Sequence, residues 1–287
     1  MTTSHDMAIG LVIFNSARSK RIITNYLYAV NEFKKHGFPV FTLELCFGDS
    51  LPEIADSFVV RGNSHMFHKE RLCRLLESKI PTTYTKLAFL DADILFDSPD
   101  WYSRTSELLE THDVVQPYYK CKWLDLTYTR ILKIRESTVV SKDPLYNTTY
   151  HPGFAWAFRR EWYKCVGFYD FAITGGGDAI SSSAWLTKSL EGKDWILGKM
   201  HMPSFCEFIK RPHPRITYLS DSVVFHLHHG SGGNRQYGER NDMLYGVDDI
   251  RTLIYENSDG VYEWKSPTTW NPRFLDYFRK RNDDSIE

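Results

Sequence analysis

Residues 8–15 form a nearly unbroken apolar run, AIGLVIFN, that predicts a buried strand. The period then changes. In residues 21–36, RIITNYLYAVNEFKKH, the side chains of Ile22, Ile23, Tyr26, Leu27, Val30 and Phe33 recur at helical spacing, and Gly37 supplies a stop. Strands are expected at 39–45 and 57–61, followed by a helix over 66–79 with Ser64 as its cap. A strand over 85–90 comes next. Ser98 and Pro99 read as the cap and first-turn proline of a helix reaching His112, and 113–116 reads as a further strand. Strand and helix alternating at this spacing predict an α/β fold, with a mostly parallel central sheet flanked by helices. The second half is richer in Gly, Pro and aromatic residues. Helices are expected after Arg159 and Asp178, a strand over 222–228, and an irregular polar tail from Gly246 packed on the same domain.

Two carboxylates interrupt the pattern. In KLAFLDADILFDSP, Asp91 and Asp93 sit inside an otherwise apolar stretch. An unpaired buried carboxylate is costly, so each needs a cation, a hydrogen-bond donor or a place at a strand end. In extended backbone, residues two apart share a face, which predicts that Asp91 and Asp93 converge. Such a pair repels itself unless a proton or a metal ion settles it. A plain salt-bridged or capping pair is the competing reading. Strand ends of this kind are also where parallel sheets bind ligands.

The stretch FHLHHGSGGNRQYGER, from Phe225, offers imidazoles to match. Alternation places Phe225, Leu227 and His229 on one face and His226 and His228 on the other, so His229 is the inward candidate. Carboxylate and imidazole together make a mixed O/N set suited to Mn2+ or a similar ion. Arg235 and Arg240 are placed to neutralise phosphate, on a loop that Gly230, Gly232 and Gly233 loosen. Asp178 follows three glycines and reads either as a helix cap or as a general base, with Gly177 permitting close approach of substrate. Trp156 is either a floor for a sugar ring or core. Lys69, near a helix start, is either a diphosphate contact or a solvated lysine. His65 and His68 lack a third ligand nearby and read as ordinary residues.

Composition narrows the classes. With 35 basic and 36 acidic residues the net charge is −1, which gives no support for nucleic-acid binding. Five scattered cysteines without a CxxC pair fit reduced thiols in a cytoplasmic setting. No stretch has the length of a membrane span or the flanks of a signal peptide, so the Asn147-Thr148-Thr149 sequon reads as chance. The segment FLDYFRKRN offers a weak peripheral membrane contact.

Taken in order, FHKERLCRLLESKIPTTYTKLAFLDADILF, HDVVQPYYKCKWLD, HPGFAWAFRR, GGGDA and HHGS…NRQYGER resemble the metal-dependent, nucleotide-sugar-using glycosyltransferases of the GT-A fold. The nearest likeness is to a broad branch found in bacteria and large viruses. The resemblance implies a domain over 1–250, with a nucleotide-binding half over 8–117, an acceptor half over 118–250, and a C-terminal extension over 251–287. It implies that Asp91 and Asp93 form a DxD motif holding Mn2+ or Mg2+, and through it the diphosphate of a UDP-sugar. His229 corresponds to the C-terminal metal ligand, with His226 as the fallback because the neighbouring histidines blur the correspondence, and Asp178 to the base of inverting members, although Gly-Asp stands where Glu-Asp or Asp-Asp is commoner. Phe14 and Asn15 fall where the nucleoside is held. The implied reaction moves a sugar to a glycan or other hydroxyl acceptor. Two other classes compete: a metal-dependent nucleotide or phosphoester enzyme, and a carbohydrate-binding protein that has lost activity.

Overall fold

The computed structural model describes residues 5–141, 149–190, 198–235 and 239–286. The sequon residues Asn147 and Thr148 lie outside them. In chain order the strands are β1 (Met7–Phe14), β2 (Val40–Phe47), β3 (Phe58–Gly62), β4 (Lys86–Leu90), β5 (Ile94–Phe96), β6 (Val114–Gln116) and β7 (Lys120–Leu124). They continue with β8 (Ile131–Ser137), β9 (Tyr150–His151), β10 (Ala155–Arg159), β11 (Ile216–Tyr218), β12 (Val223–His226), β13 (Ile254–Glu256) and β14 (Tyr262–Trp264). The helices are α1 (Lys20–Lys35), α2 (Lys69–Glu77), α3 (Trp101–Leu108), α4 (Thr138–Ser141), α5 (Arg160–Cys165) and α6 (Gly177–Leu186). After them come α7 (Met202–Phe208), α8 (Glu239–Asp242) and α9 (Pro267–Lys280).

The central sheet runs β11-β6-β10-β4-β1-β2-β3. Its pairs are parallel except where β10 lies antiparallel between β4 and β6. This is the expected α/β architecture. Alternation along β4 explains why every one of its residues is buried. Leu87 and Phe89 join the core under α2, α5 and α6, while Ala88 and Leu90 join the core under α1 and α3. Each large apolar side chain buried this way contributes about 1.5–3 kcal/mol. A second sheet, β5-β12-β7-β8-β9, stands beside the first.

The strand order places the ligand crevice. From β1 the chain moves outward through β2 to β3, then returns to the other side of β1 as β4. Connections that leave β1 in opposite directions open a gap at its carboxyl end. Asn15 and Asp91 are the first residues beyond β1 and β4 at that gap.

Several local expectations change. Leu27, read as part of the buried stripe of α1, is half exposed, and the stripe consists of Asn25, Tyr26, Ala29, Val30 and Phe33. Ser64 does not cap α2, because its hydroxyl accepts the N–H of Trp264 (2.8 Å) and helical backbone begins only at Lys69. The C-terminal stretch is regular: β13 and β14 form a hairpin, and α9 buries Phe274, Tyr277 and Phe278. That burial turns the apolar face of FLDYFRKRN into the protein. Among the described residues, no helix is long and apolar enough to cross a membrane. All five cysteines are free thiols.

Candidate metal centre and surrounding cleft

Asp91, Ala92 and Asp93 leave the extended conformation. β4 stops at Leu90, and the three residues form a turn into β5. Two backbone bonds hold the turn: the Asp91 N–H donates to the Phe154 carbonyl (2.7 Å), and the Asp93 carbonyl accepts from the Leu227 N–H (2.8 Å). The extended backbone assumed for this stretch ends at Leu90, and each carboxylate has a side-chain partner of its own, Lys69 for Asp91 and His229 for Asp93.

The second bond carries the end of β12 to Asp93. β12 stops at His226, two residues short of the expected strand, so strict alternation ends there. His226 and His229 consequently converge, with Nε2 atoms 3.1 Å apart. Asp93 Oδ2 lies 2.9 Å from His229 Nε2 and 3.6 Å from His226 Nε2. The histidines are 4% and 7% exposed. His226 stacks on Phe154, with centroids 4.9 Å apart, and Phe154 takes a left-handed backbone (φ 77°) to reach it. His228 turns the other way, with Nε2 3.4 Å from the Ser285 carbonyl.

Asp93, His226 and His229 are the carboxylate and imidazoles that could hold a metal ion among the described residues. Metal–ligand bonds of about 2.1 Å meeting at right angles hold donor atoms about 3 Å apart. The triangle of 2.9, 3.1 and 3.6 Å has those proportions. Two imidazoles and one carboxylate fit a divalent ion of the Mn2+ to Zn2+ series. On the far side of His229, Nδ1 stands 3.0 Å from Asp283 Oδ1.

Asp91 stands outside this triangle and is ion-paired with Lys69, in the first turn of α2. The side chains are 27% and 26% exposed, so Lys69 is not the solvated lysine of the sequence reading. Burial works against its ammonium, but Asp91, Asp178 and Glu70 outweigh it and hold Lys69 above the usual lysine range. Burial pushes the Asp91 carboxyl up, Lys69 opposes the shift, and Asp93 adds to it. Glu70 lies deeper, and burial raises its carboxyl to about 7.

Asp178 occupies the first turn of α6 and accepts the Ala179 N–H at Oδ1 (2.8 Å). A Cβ on Gly153 would come within 2.6 Å of Asp178 Oδ2 and 2.9 Å of His151 Nε2, so these two side chains meet over that glycine. Burial, with the cations Arg135, Lys69 and Lys133 nearby, holds His151 well below the usual histidine range. At Gly177 a Cβ would overlap the Glu70 carboxylate, so this glycine serves the approach of α6 to α2.

The remaining candidates divide. Phe14 is half-buried and packs edge-on to Phe67, His68 and Phe278. The Asn15 amide closes the turn into α1, bonding Ser19 through its N–H and carbonyl and also Glu53. Trp156 is core rather than a sugar floor. It is 2% exposed, donates Nε1–H to the Pro152 carbonyl (2.7 Å), and packs edge-on against Trp185. Arg240 lies over the Phe67 ring and against Gly175. The Arg235 side chain lies outside the described residues. Sequence reasoning missed Asp283, Glu70 and Trp123. Trp123 is half-buried, 6.1 Å from the His226 ring, and carries Lys133 and Arg135 against its face. Its place on a strand next to Lys122 and Cys121 gave no cue that it would border the site.

No protein-family profile and no curated protein matches the chain. Remote likeness in fold extends to the catalytic domain of Drosophila β1,4-galactosyltransferase 7 in complex with xylobiose (12% identity, TM-score 0.45, covering 94% of this chain and 98% of that one). It also extends to glucosyl-3-phosphoglycerate synthase from Mycobacterium tuberculosis with Mg2+ and uridine diphosphate (9%, 0.37, 91% and 87%) and to A197 from STIV (14%, 0.37, 77% and 85%).

Proposed function

We propose that the chain is a metal-dependent glycosyltransferase that takes a sugar from a nucleoside diphosphate, UDP being the first candidate, and passes it to a hydroxyl acceptor. The observation that carries this reading is the Asp93–His226–His229 triangle at the switch point of the central sheet. Asp93 and the two histidines would hold Mn2+ or Mg2+; His226 thereby joins His229, and Asp91 passes to a supporting role. An ion held there would supply Lewis-acid neutralisation of the charge on a diphosphate leaving group.

The chain's own groups supply the rest. Lys69 neutralises Asp91 and leaves the net negative charge of the DxD turn on Asp93, beside the imidazoles. Asp178 engages its own helix through Oδ1, which keeps Oδ2 toward Gly153 and His151 as the atom to accept the proton of an acceptor hydroxyl. A carboxylate base acting directly on the acceptor gives inversion at the anomeric carbon. Phe14 and the Phe67–Phe278 aromatic pair border the gap beyond β1 and offer an apolar rim for a base.

Calorimetric titration with UDP tests the reading, run with Mn2+, with excess chelator, and on Asp93→Ala. Metal-dependent binding that the variant loses supports it. Binding indifferent both to metal and to Asp93 refutes it, and turnover of UDP-sugar with retained anomeric configuration removes Asp178 from the base role.

A further inference from the structure

We propose that Asp283, in the segment after α9, is the positioning residue that orients His229 within the metal triangle. The inference rests on the metal reading of Asp93, His226 and His229. Asp283 is 5% exposed, and a carboxylate so buried requires partners. Its Oδ1 lies 3.0 Å from His229 Nδ1 and 3.1 Å from Arg281 Nη2. An imidazole that donates Nδ1–H to a carboxylate presents the Nε2 lone pair to a metal, with its ring plane fixed and its basicity raised. Nε2 of His229 is the atom that faces Asp93 and His226.

The segment is anchored on both sides of Asp283. Asp284 accepts from the Ser19 hydroxyl (2.7 Å) and from the backbone N–H groups of Arg21 (2.7 Å) and Lys20 (3.2 Å), at the start of α1. Negative charge is favoured at that end of a helix. Ser285 offers its carbonyl to His228, and the Asn282 carbonyl passes so close to Gly230 that a Cβ there would stand 2.8 Å from it. Gly230, which also has φ 71°, is therefore the residue that lets the tail lie against the histidine loop. The polar tail thus belongs to the site, although Asp283 is separated from His229 by 54 positions.

The test measures metal affinity of the full chain with Mn2+ alone, by competition with a chelating indicator. Asp283→Ala, Asp283→Asn and Asp284→Ala are compared with wild type, each first checked by a thermal melt. Loss of a carboxylate behind a metal-bound histidine weakens affinity about 10–100-fold, and that is the expected result for Asp283→Ala. Asp283→Asn keeps an oxygen that accepts from Nδ1–H at nearly unchanged size, so its loss is smaller and it stands even if the alanine variant does not fold. Asp284→Ala loosens the anchor without touching His229 and keeps affinity near wild type. With Zn2+ in place of Mn2+, the His229 ring nitrogens give one hydrogen-bonded Nδ1–H resonance in wild type and lose it in Asp283→Ala.

Equal Mn2+ affinity in wild type and Asp283→Ala overturns the inference and leaves the metal reading intact. Equal losses in all three variants also overturn it, since they would trace to undocking of the tail. A wild-type chain that takes up no Mn2+ overturns both.

Discussion

Glu70→Gln isolates the electrostatics of the cleft. The Glu70 carboxyl is buried in the first turn of α2, against Gly177, and burial moves it from 4.5 to about 7. Lys69 opposes the shift, and Asp178 and Asp91 add to it. The folded chain therefore holds this proton more tightly than the unfolded chain. The stabilisation it brings is complete below about pH 4.5 and lost as pH rises through about 7. A shift of about 2.5 units at about 1.36 kcal/mol per unit amounts to about 3 kcal/mol. Glutamine keeps the shape and has no proton to lose. Counted from its low-pH value, the stability difference between Glu70→Gln and wild type is thus near zero at about pH 3.5, about 1 kcal/mol at about pH 5, and about 3 kcal/mol in favour of the variant at about pH 8. Urea unfolding of both proteins at one-unit pH steps, in chelator to keep metal out of the balance, measures it directly. A difference that stays constant with pH, or that shrinks as pH rises, would refute the assignment.

Other perturbations follow from the same geometry. Gly177→Ala forces a methyl into the Glu70 carboxylate and should cost about 1–3 kcal/mol, most of it recovered in the Gly177→Ala/Glu70→Ala double variant; additive losses in that cycle would disprove the contact. Lys69→Met leaves Asp91 without its ammonium; with both side chains about a quarter exposed, solvent screening limits the loss to about 1–2 kcal/mol, and adding Asp91→Asn should restore part of it in denaturant titration. Trp156→Ala opens a core cavity and should cost about 3–5 kcal/mol, whereas Trp123→Ala, at the half-buried rim, should cost less than half as much; the reverse order would mean that Trp156 is the exposed platform after all.

What was legible in the chain, and what was not, divides along physical lines. β1 and β4 announced themselves because a strand covered on both faces must be apolar at consecutive positions, and the gap beyond them follows from topology. The candidacy of Asp93 and His229 follows from the same rule, since polar residues ending such strands need a reason to be there. The errors begin where a strand ends. Alternation assigns faces only while the backbone stays extended, and β4 stops at Leu90 and β12 at His226. Beyond those points the rule separated His226 from His229, which the turn after β12 brings together. Trp156 was ambiguous for a related reason: a tryptophan on a covered strand and one lining a cleft share the same local pattern, and only the covering helix α6, with Trp185, decides between them. The partners of Lys69 and Asp283 had no local signature: Lys69 stood out only as a lysine near a helix start, and Asp283 not at all. Each is a charged residue in a polar setting whose partner lies far along the chain, 22 positions away for Lys69 and 54 for Asp283. Apolar residues declare a burial that many neighbours can satisfy, whereas a buried charge requires one particular partner in one geometry. The second requirement is met by tertiary structure, so the supporting groups of this site became visible only once α2, β12 and the C-terminal segment were in place.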